Sequence, residues 1–356
     1  MPRSVKLVPV MTNEYAKPGS EKEIISLFEK IFAPDHIPGD LLIGIGDDAA
    51  AVEPGSDPDT KFVFTADMLV ENVHFLPEFH TPYDIGRRCA VANLSDIAAM
   101  GAIPRWGILT LALPERISTD WLEDFAKGMR DALNTEGTQI IGGDLTRSTE
   151  EIVISLTIIG ETTGRLIRRK GAMLGDFIAV TGDLGASSAG LAILKAGESI
   201  SVPENIREKL IEKHKCPIAR VRVGEICANN EGIHAMMDIS DGLGIDLGRL
   251  CEASGVGARI FEDNFPISHE VREAAKILNR DVLDFVNGGE DFELLIVGNG
   301  GSLDNISQIL EEYESEPKLT IIGEIIDPAF GLLLARSDGT VVNPSSMGWD
   351  HFKMKK

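Results

Sequence analysis

The chain has 356 residues, enough for two domains and for a core that needs no disulfide or metal staple. Hydrophobic residues make up 43% and charged residues 25%, the balance of an ordinary soluble globular protein. Acids outnumber bases 56 to 34, a net charge of -22, which argues against nucleic acid or an anionic membrane surface as a partner, since both need a basic footprint.

The four cysteines, Cys89, Cys216, Cys227 and Cys251, form no C-x-x-C pair and make no disulfide framework in so long a chain, so a reducing compartment is expected. The first residues lack the apolar core of a signal peptide, and no apolar run is long enough to span a bilayer. The expected location is the cytoplasm.

In chain order, residues 1–20 read as a loose leader with Pro2, Pro9, Pro18 and Gly19. A helix is predicted next, with Ile24, Ile25, Leu27, Phe28 and Ile31 on one face. GIGDDAAAV (44–52) follows with no clean strand before it, then a turn at 54–59 and the alternating strand KFVFTAD (61–67). Residues 84–100 read as a helix carrying NLSD, and 107–113 as a strand. Trp121, Phe125, Met129 and Leu133 recur every four residues, which predicts a helix over 120–134 capped by Thr119 or Asp120. TQIIGGD (138–144) is a strand ending in a glycine turn, and 151–161 is a strand with Ile152, Ile154, Leu156 and Ile158 on one face.

A basic stretch within Gly160–Gly175 marks the expected domain boundary, giving a leader (1–20), an N-terminal domain (21–160) and a C-terminal domain (161–356). The second half opens with a strand, glycine turn and helix (177–194). It repeats that pattern at AMMDISDGLGIDLGRLCEA (235–253), then adds the turn and strand GGEDFELLIV (288–297) and the late strand 318–326. Strands and helices do not strictly alternate, so the class is α+β.

Asp47, Asp48, Asp67, Asp96, Asp144, Asp238 and Asp241 all fall at strand ends, tight turns or helix edges, several beside glycine. Each alone is an ordinary turn residue. Together they lie beside apolar strands whose ends would gather the carboxylates, and such a cluster requires protons or cations. Oxygen ligands without Cys or His select hard ions, Mg²⁺ before Zn²⁺. Metals between carboxylates and a polyphosphate would also let so acidic a chain bind nucleotide.

GIGDDA imitates a dinucleotide fingerprint, but two aspartates would repel a bare pyrophosphate. No P-loop, nucleophile elbow or zinc spacing occurs. GDLGASSAGL (182–191) has two open readings: a structural glycine turn with Ser187 as a cap, or a helix N-terminus that receives phosphate. The stretch Arg165–Lys170 reads as a solvated linker, with Arg169 a candidate for ATP phosphates.

IGDDAA (45–50), TADMLVENVHF (65–75), AVANLSDIAAMGA (90–102), IGGDLTRS (141–148), TGDLGASSAGL (181–191), MDISDGL (237–243), GGEDFELL (288–295) and GWDHF (348–352) occur in that order. With these motifs the chain resembles the thiamine-monophosphate kinase family, within the superfamily of aminoimidazole ribonucleotide synthetase. The resemblance implies a two-domain α+β fold, mixed sheets with helices packed on one face, and a homodimer whose N-terminal domain binds metal and nucleotide and dimerises.

It further implies several Mg²⁺ ions held by Asp48, Thr65, Ala66, Asp67, Asp96, Asp144, Asp238 and Asp241. Gly143, Asp144, Arg169 and Ser240 would contact ATP, and His74, Glu290 and Trp349 would contact thiamine monophosphate. The expected reaction is direct in-line phosphoryl transfer with no general base. The alternatives are another ATP-using enzyme of the superfamily and a non-catalytic nucleotide- and magnesium-binding protein. Ala66, Leu145 and Ala186 depart from the family pattern, at positions usually occupied by a hydroxyl residue, Thr and Asp.

Overall fold

Alternating apolar residues build the first sheet: Ile154, Leu156 and Ile158 are fully buried on one face of a single strand. The computed structural model describes residues 41–43, 47–52, 60–313 and 315–344, all within the compact unit His36–Trp349. The leader, the helix expected around Ile24–Ile31 and Trp349 lie outside the described residues.

The first sheet contains β1 (Leu41–Ile43), β2 (Ala50–Val52), β3 (Lys61–Val70), β4 (Ile103–Leu113), β5 (Gln139–Arg147) and β6 (Val153–Thr162). Their order is β1-β2-β3-β6-β4-β5, antiparallel except for the parallel pair β4–β5. A strand therefore does precede GIGDD. It pairs antiparallel with β2, so it opens a hairpin and not a dinucleotide-binding unit.

Two helices accompany this sheet, α1 (Pro82–Ala99) and α2 (Thr119–Thr135). Thr81 and Asp84 form a reciprocal capping box at the start of α1, with Pro82 in the first turn. Ser118, not Thr119 or Asp120, caps α2: its hydroxyl accepts from the Trp121 amide, because the helix begins one residue earlier than its apolar period indicates. Phe125, Met129 and Leu133 are buried as their spacing predicts. The two helices cross so closely that a Cβ on Gly86 would lie 2.1 Å from the Phe125 carbonyl oxygen, and one on Gly128 2.0 Å from that of Tyr83.

The second sheet has seven strands: β7 (Phe177–Thr181), β8 (Ile233–Ile239), β9 (Gly257–Phe261), β10 (Glu293–Gly298), β11 (Leu319–Ile326), β12 (Leu332–Ala335) and β13 (Val341–Val342). Their order is β13-β12-β9-β11-β7-β10-β8, with only β9–β12 parallel. Around it lie α3 (Ala186–Ala196), α4 (Glu204–Lys215), α5 (Val221–Ala228), α6 (Leu243–Ser254), α7 (His269–Leu278), α8 (Val282–Val286) and α9 (Gly300–Glu311). Every residue of β10 is buried, which fits its continuous apolar run. One apolar core links the first sheet through α1 to Ala179, Met236, Leu294 and Ile296 of the second, so the two halves share an interior.

Candidate metal and substrate site

Three distant segments bring carboxylates together. Asp48 precedes β2, Asp96 lies in the last turns of α1, and Asp238 stands near the end of β8. One oxygen from each lies within 4.8 Å of the others. The cluster thus draws on both sheets. Burial first, then the charges of Asp48 and Asp246, holds Asp238 well above the usual carboxylate range. Burial, then Asp67, Asp238 and Asp48, does the same to Asp96.

Neighbouring hydroxyls fix the oxygens: Ser95 Oγ donates to Asp238 Oδ2 at 2.8 Å, and Thr65 Oγ1 donates to Asp96 Oδ2. So close a set keeps its protons unless a cation displaces them. Its donors are all hard oxygens, which fit Mg²⁺ and not a soft metal.

Asp67 and Asp241 flank the trio. Burial, then the charge of Asp241, raises Asp67 to about 6. The Asp67 amide donates to Asn93 Oδ1 at 3.1 Å, which ties β3 to α1. Strand alternation puts Thr65 inward and Ala66 outward, exposed on the opposite face. The Ala66 side chain therefore lies on the face opposite Thr65.

Asp241 is bound by Arg249, which also reaches Asp246 at 3.1 Å. Asp246, fully buried, accepts the amides of Ser240, Asp241 and Gly242 and so shapes the turn after β8. Burial, then the charge of Asp241, raises Asp246 to about 7. Arg169 is no solvated linker residue: its Nε and Nη2 grip both oxygens of Asp48, at 2.9 and 2.7 Å.

Other expected residues sit elsewhere. Gly143 and Asp144 lie on β5, exposed along its whole length, with β6 and β4 between it and β3, about 14 Å at ordinary strand spacing. Asp144 does not join the trio within this chain. His74 lies in the turn after β3, where its Nδ1 accepts the Val70 amide at 3.0 Å. Glu290 is in a left-handed conformation, φ 64°; its amide donates to the Ser240 carbonyl at 2.8 Å, which brings it to the Asp241 turn.

The phosphate reading of GDLGASSAGL fails. The Asp291 carboxylate already accepts the amides of Gly185 at 2.7 Å and Ser187 at 3.2 Å at the start of α3. Sequence reasoning missed Asn93, Ser95, Asp246 and Arg249. The signal for Ser95 was its place inside NLSD, and that for Asp246 was an acid in the first turn after SDG.

Residues 46–162 match the N-terminal domain, and 174–332 the C-terminal domain, of the family described as AIR synthase related protein. The chain is 38% identical to thiamine-monophosphate kinase from Salmonella typhimurium over 320 residues, 88% of this chain and 93% of that one. It is 33% identical to the Aquifex aeolicus thiamine-monophosphate kinase over 309 residues, 86% of this chain and 92% of the relative. The chain belongs to the thiamine-monophosphate kinase family. A solved structure of the family, AaThiL complexed with AMPPCP and TMP, superposes with a TM-score of 0.79 at 31% identity, covering 94% of this chain and 97% of that one. The two-domain α+β fold expected from the motifs is the fold of this family.

Proposed function

We propose that this protein transfers the terminal phosphoryl group of ATP to the phosphate of thiamine monophosphate, giving thiamine diphosphate and ADP. The reading rests on the trio Asp48, Asp96 and Asp238, an oxygen-only cation site in a chain aligned along almost its whole length with kinases of this specificity. The trio would hold Mg²⁺, with Asp67 and Asp241 beside it. When bound, the ions supply positive charge between two anionic reactants.

Ser95 and Thr65 orient the ligating oxygens, and Arg249 with Asp246 holds the Asp241 turn in place. The acceptor phosphate has a second pKa of about 6 and is already mostly dianionic at neutral pH, so no side chain need remove a proton. Arg169 and Ser240 are read as ATP contacts, and His74, Glu290 and Trp349 as acceptor contacts. Strand β5, with Gly143 and Asp144, is read as the surface on which a second copy packs, because Ile141 and Leu145 stand 60% and 66% exposed there. The cytoplasm suits four thiols that all remain unpaired.

The test is chromatographic detection of thiamine diphosphate from purified protein, Mg-ATP and thiamine monophosphate. Its appearance in step with ADP supports the reading. ATP turnover with no thiamine diphosphate would move the protein to another activity of the superfamily.

A further inference from the structure

Arg88 projects from α1 into the interior, with its side chain 4% exposed. One guanidinium nitrogen donates to the His214 backbone carbonyl, and the other donates to Glu290 Oε1. Its Nε has no partner among the described residues, so these two bonds fix its position. Glu290 comes from a turn more than two hundred residues later, and its side chain remains 32% exposed. Its backbone is pinned to Ser240, so the side chain's direction is set by Arg88.

The histidines nearby add no charge. Ser187 Oγ lies 3.0 Å from His214 Nδ1, His214 Nε2 lies 3.2 Å from His80 Nε2, and His80 Nδ1 lies 3.1 Å from the Leu76 carbonyl oxygen. Two proton assignments satisfy the whole chain with both rings neutral: Ser187 donates to His214, His214 to His80 and His80 to the Leu76 carbonyl, or the Leu76 amide donates to His80 Nδ1, His80 to His214 and His214 to Ser187. Burial, then the Arg88 charge, lowers His80 to about 4 and pushes His214 down as well. Glu290 Oε2 stands 3.7 Å from His214 Nδ1, beyond hydrogen-bond reach of a nitrogen already engaged by Ser187.

We propose that Arg88 is a positioning residue that takes up Oε1 of Glu290 and leaves Oε2 to accept a hydrogen bond from the exocyclic amino group of the acceptor's pyrimidine ring. The chemistry decides which part of the acceptor is recognised. A carboxylate already neutralised by a buried guanidinium offers an acceptor atom and little net charge. It therefore suits a neutral amino donor and not the thiazolium cation. This inference rests on the reading of Glu290 as an acceptor contact.

The experiment compares thiamine monophosphate with its 4-oxo analogue as acceptors for the wild type, Arg88→Lys, Arg88→Met and Glu290→Gln. The wild type favours the amino compound. Arg88→Lys keeps the charge but cannot make both bonds, so KM for thiamine monophosphate rises about tenfold. Discrimination against the oxo analogue falls toward unity, while KM for ATP holds. Arg88→Met goes further in the same direction. If its folding is impaired, Arg88→Lys carries the comparison alone, with thermal unfolding as the check.

A structural role alone would lower kcat and disturb both KM values without touching discrimination, and that result overturns the proposal. If Glu290→Gln loses discrimination while the Arg88 variants keep it, Arg88 is excluded and Glu290 stands. Should Glu290→Gln itself discriminate normally, Glu290 is no acceptor contact and both readings fall.

Discussion

Asp238 shows the conflict between site and fold at the level of one residue. It is 3% exposed, and its carboxyl in the folded chain titrates well above the 3.8 of an unfolded one. A raised carboxyl contributes stability that is fully present below about pH 4 and is lost as pH rises through the folded value. Asp238→Asn lacks this dependence and keeps the acceptor for Ser95. The variant should therefore gain stability over wild type as pH rises from about 4 toward neutrality, while losing activity. Mg²⁺ should narrow the gap by stabilising only the wild type. Thermal unfolding from about pH 4 to 8, with chelator and with Mg²⁺, reads this directly. A gap that does not change with pH would mean that Asp238 sits in the fold at no electrostatic expense.

Asp48 and Asp238 were legible in sequence because a glycine turn announces the first and a strand end the second. Arg88 was not, since one arginine in a helix looks like any other and its partner Glu290 lies far along the chain. Asp291 was equally hidden. Its role at the start of α3 depends on the pairing of β10 beside β7, which no local pattern encodes.

At the scale of elements, α1 organises the site, and its seat on α2 depends on two absent side chains. A methyl group on Gly128 would meet the Tyr83 backbone, which cannot swing aside as a side chain can. Gly128→Ala should lose roughly 2–3 kcal/mol in denaturant unfolding despite the better helix propensity of alanine. Gly301→Ala is the control, since its methyl group meets only the Asn299 side-chain oxygen at 3.7 Å. Equal stability of the two variants would show that the helices separate freely. Helix and strand types followed from periodicity, whereas their limits did not. β4 continues back through Pro104 to Ile103, and α2 begins at Thr119 behind its cap Ser118, because sheet pairing and caps set those ends.

For the molecule as a whole, β5 stands apart. Ile140, Ile141 and Leu145 are 41%, 60% and 66% exposed on a strand at the edge of its sheet. A wild-type dimer and a monomeric Ile141→Glu variant in sedimentation velocity are the expected outcomes. A wild type that stays monomeric at micromolar concentration would leave this strand to some other partner.

Helix α1 also carries a mechanical consequence. Arg88 and Asp96 stand two turns apart on it, about 12 Å along the axis. One governs the carboxylate assigned to the vitamin's ring, and the other belongs to the acidic cluster assigned to the phosphates. On those assignments, a single stiff rod would gauge the separation between the two ends of the acceptor molecule. Any tilt of that rod would misalign both ends at once, so a substitution at its seat on α2 should disturb recognition and transfer together.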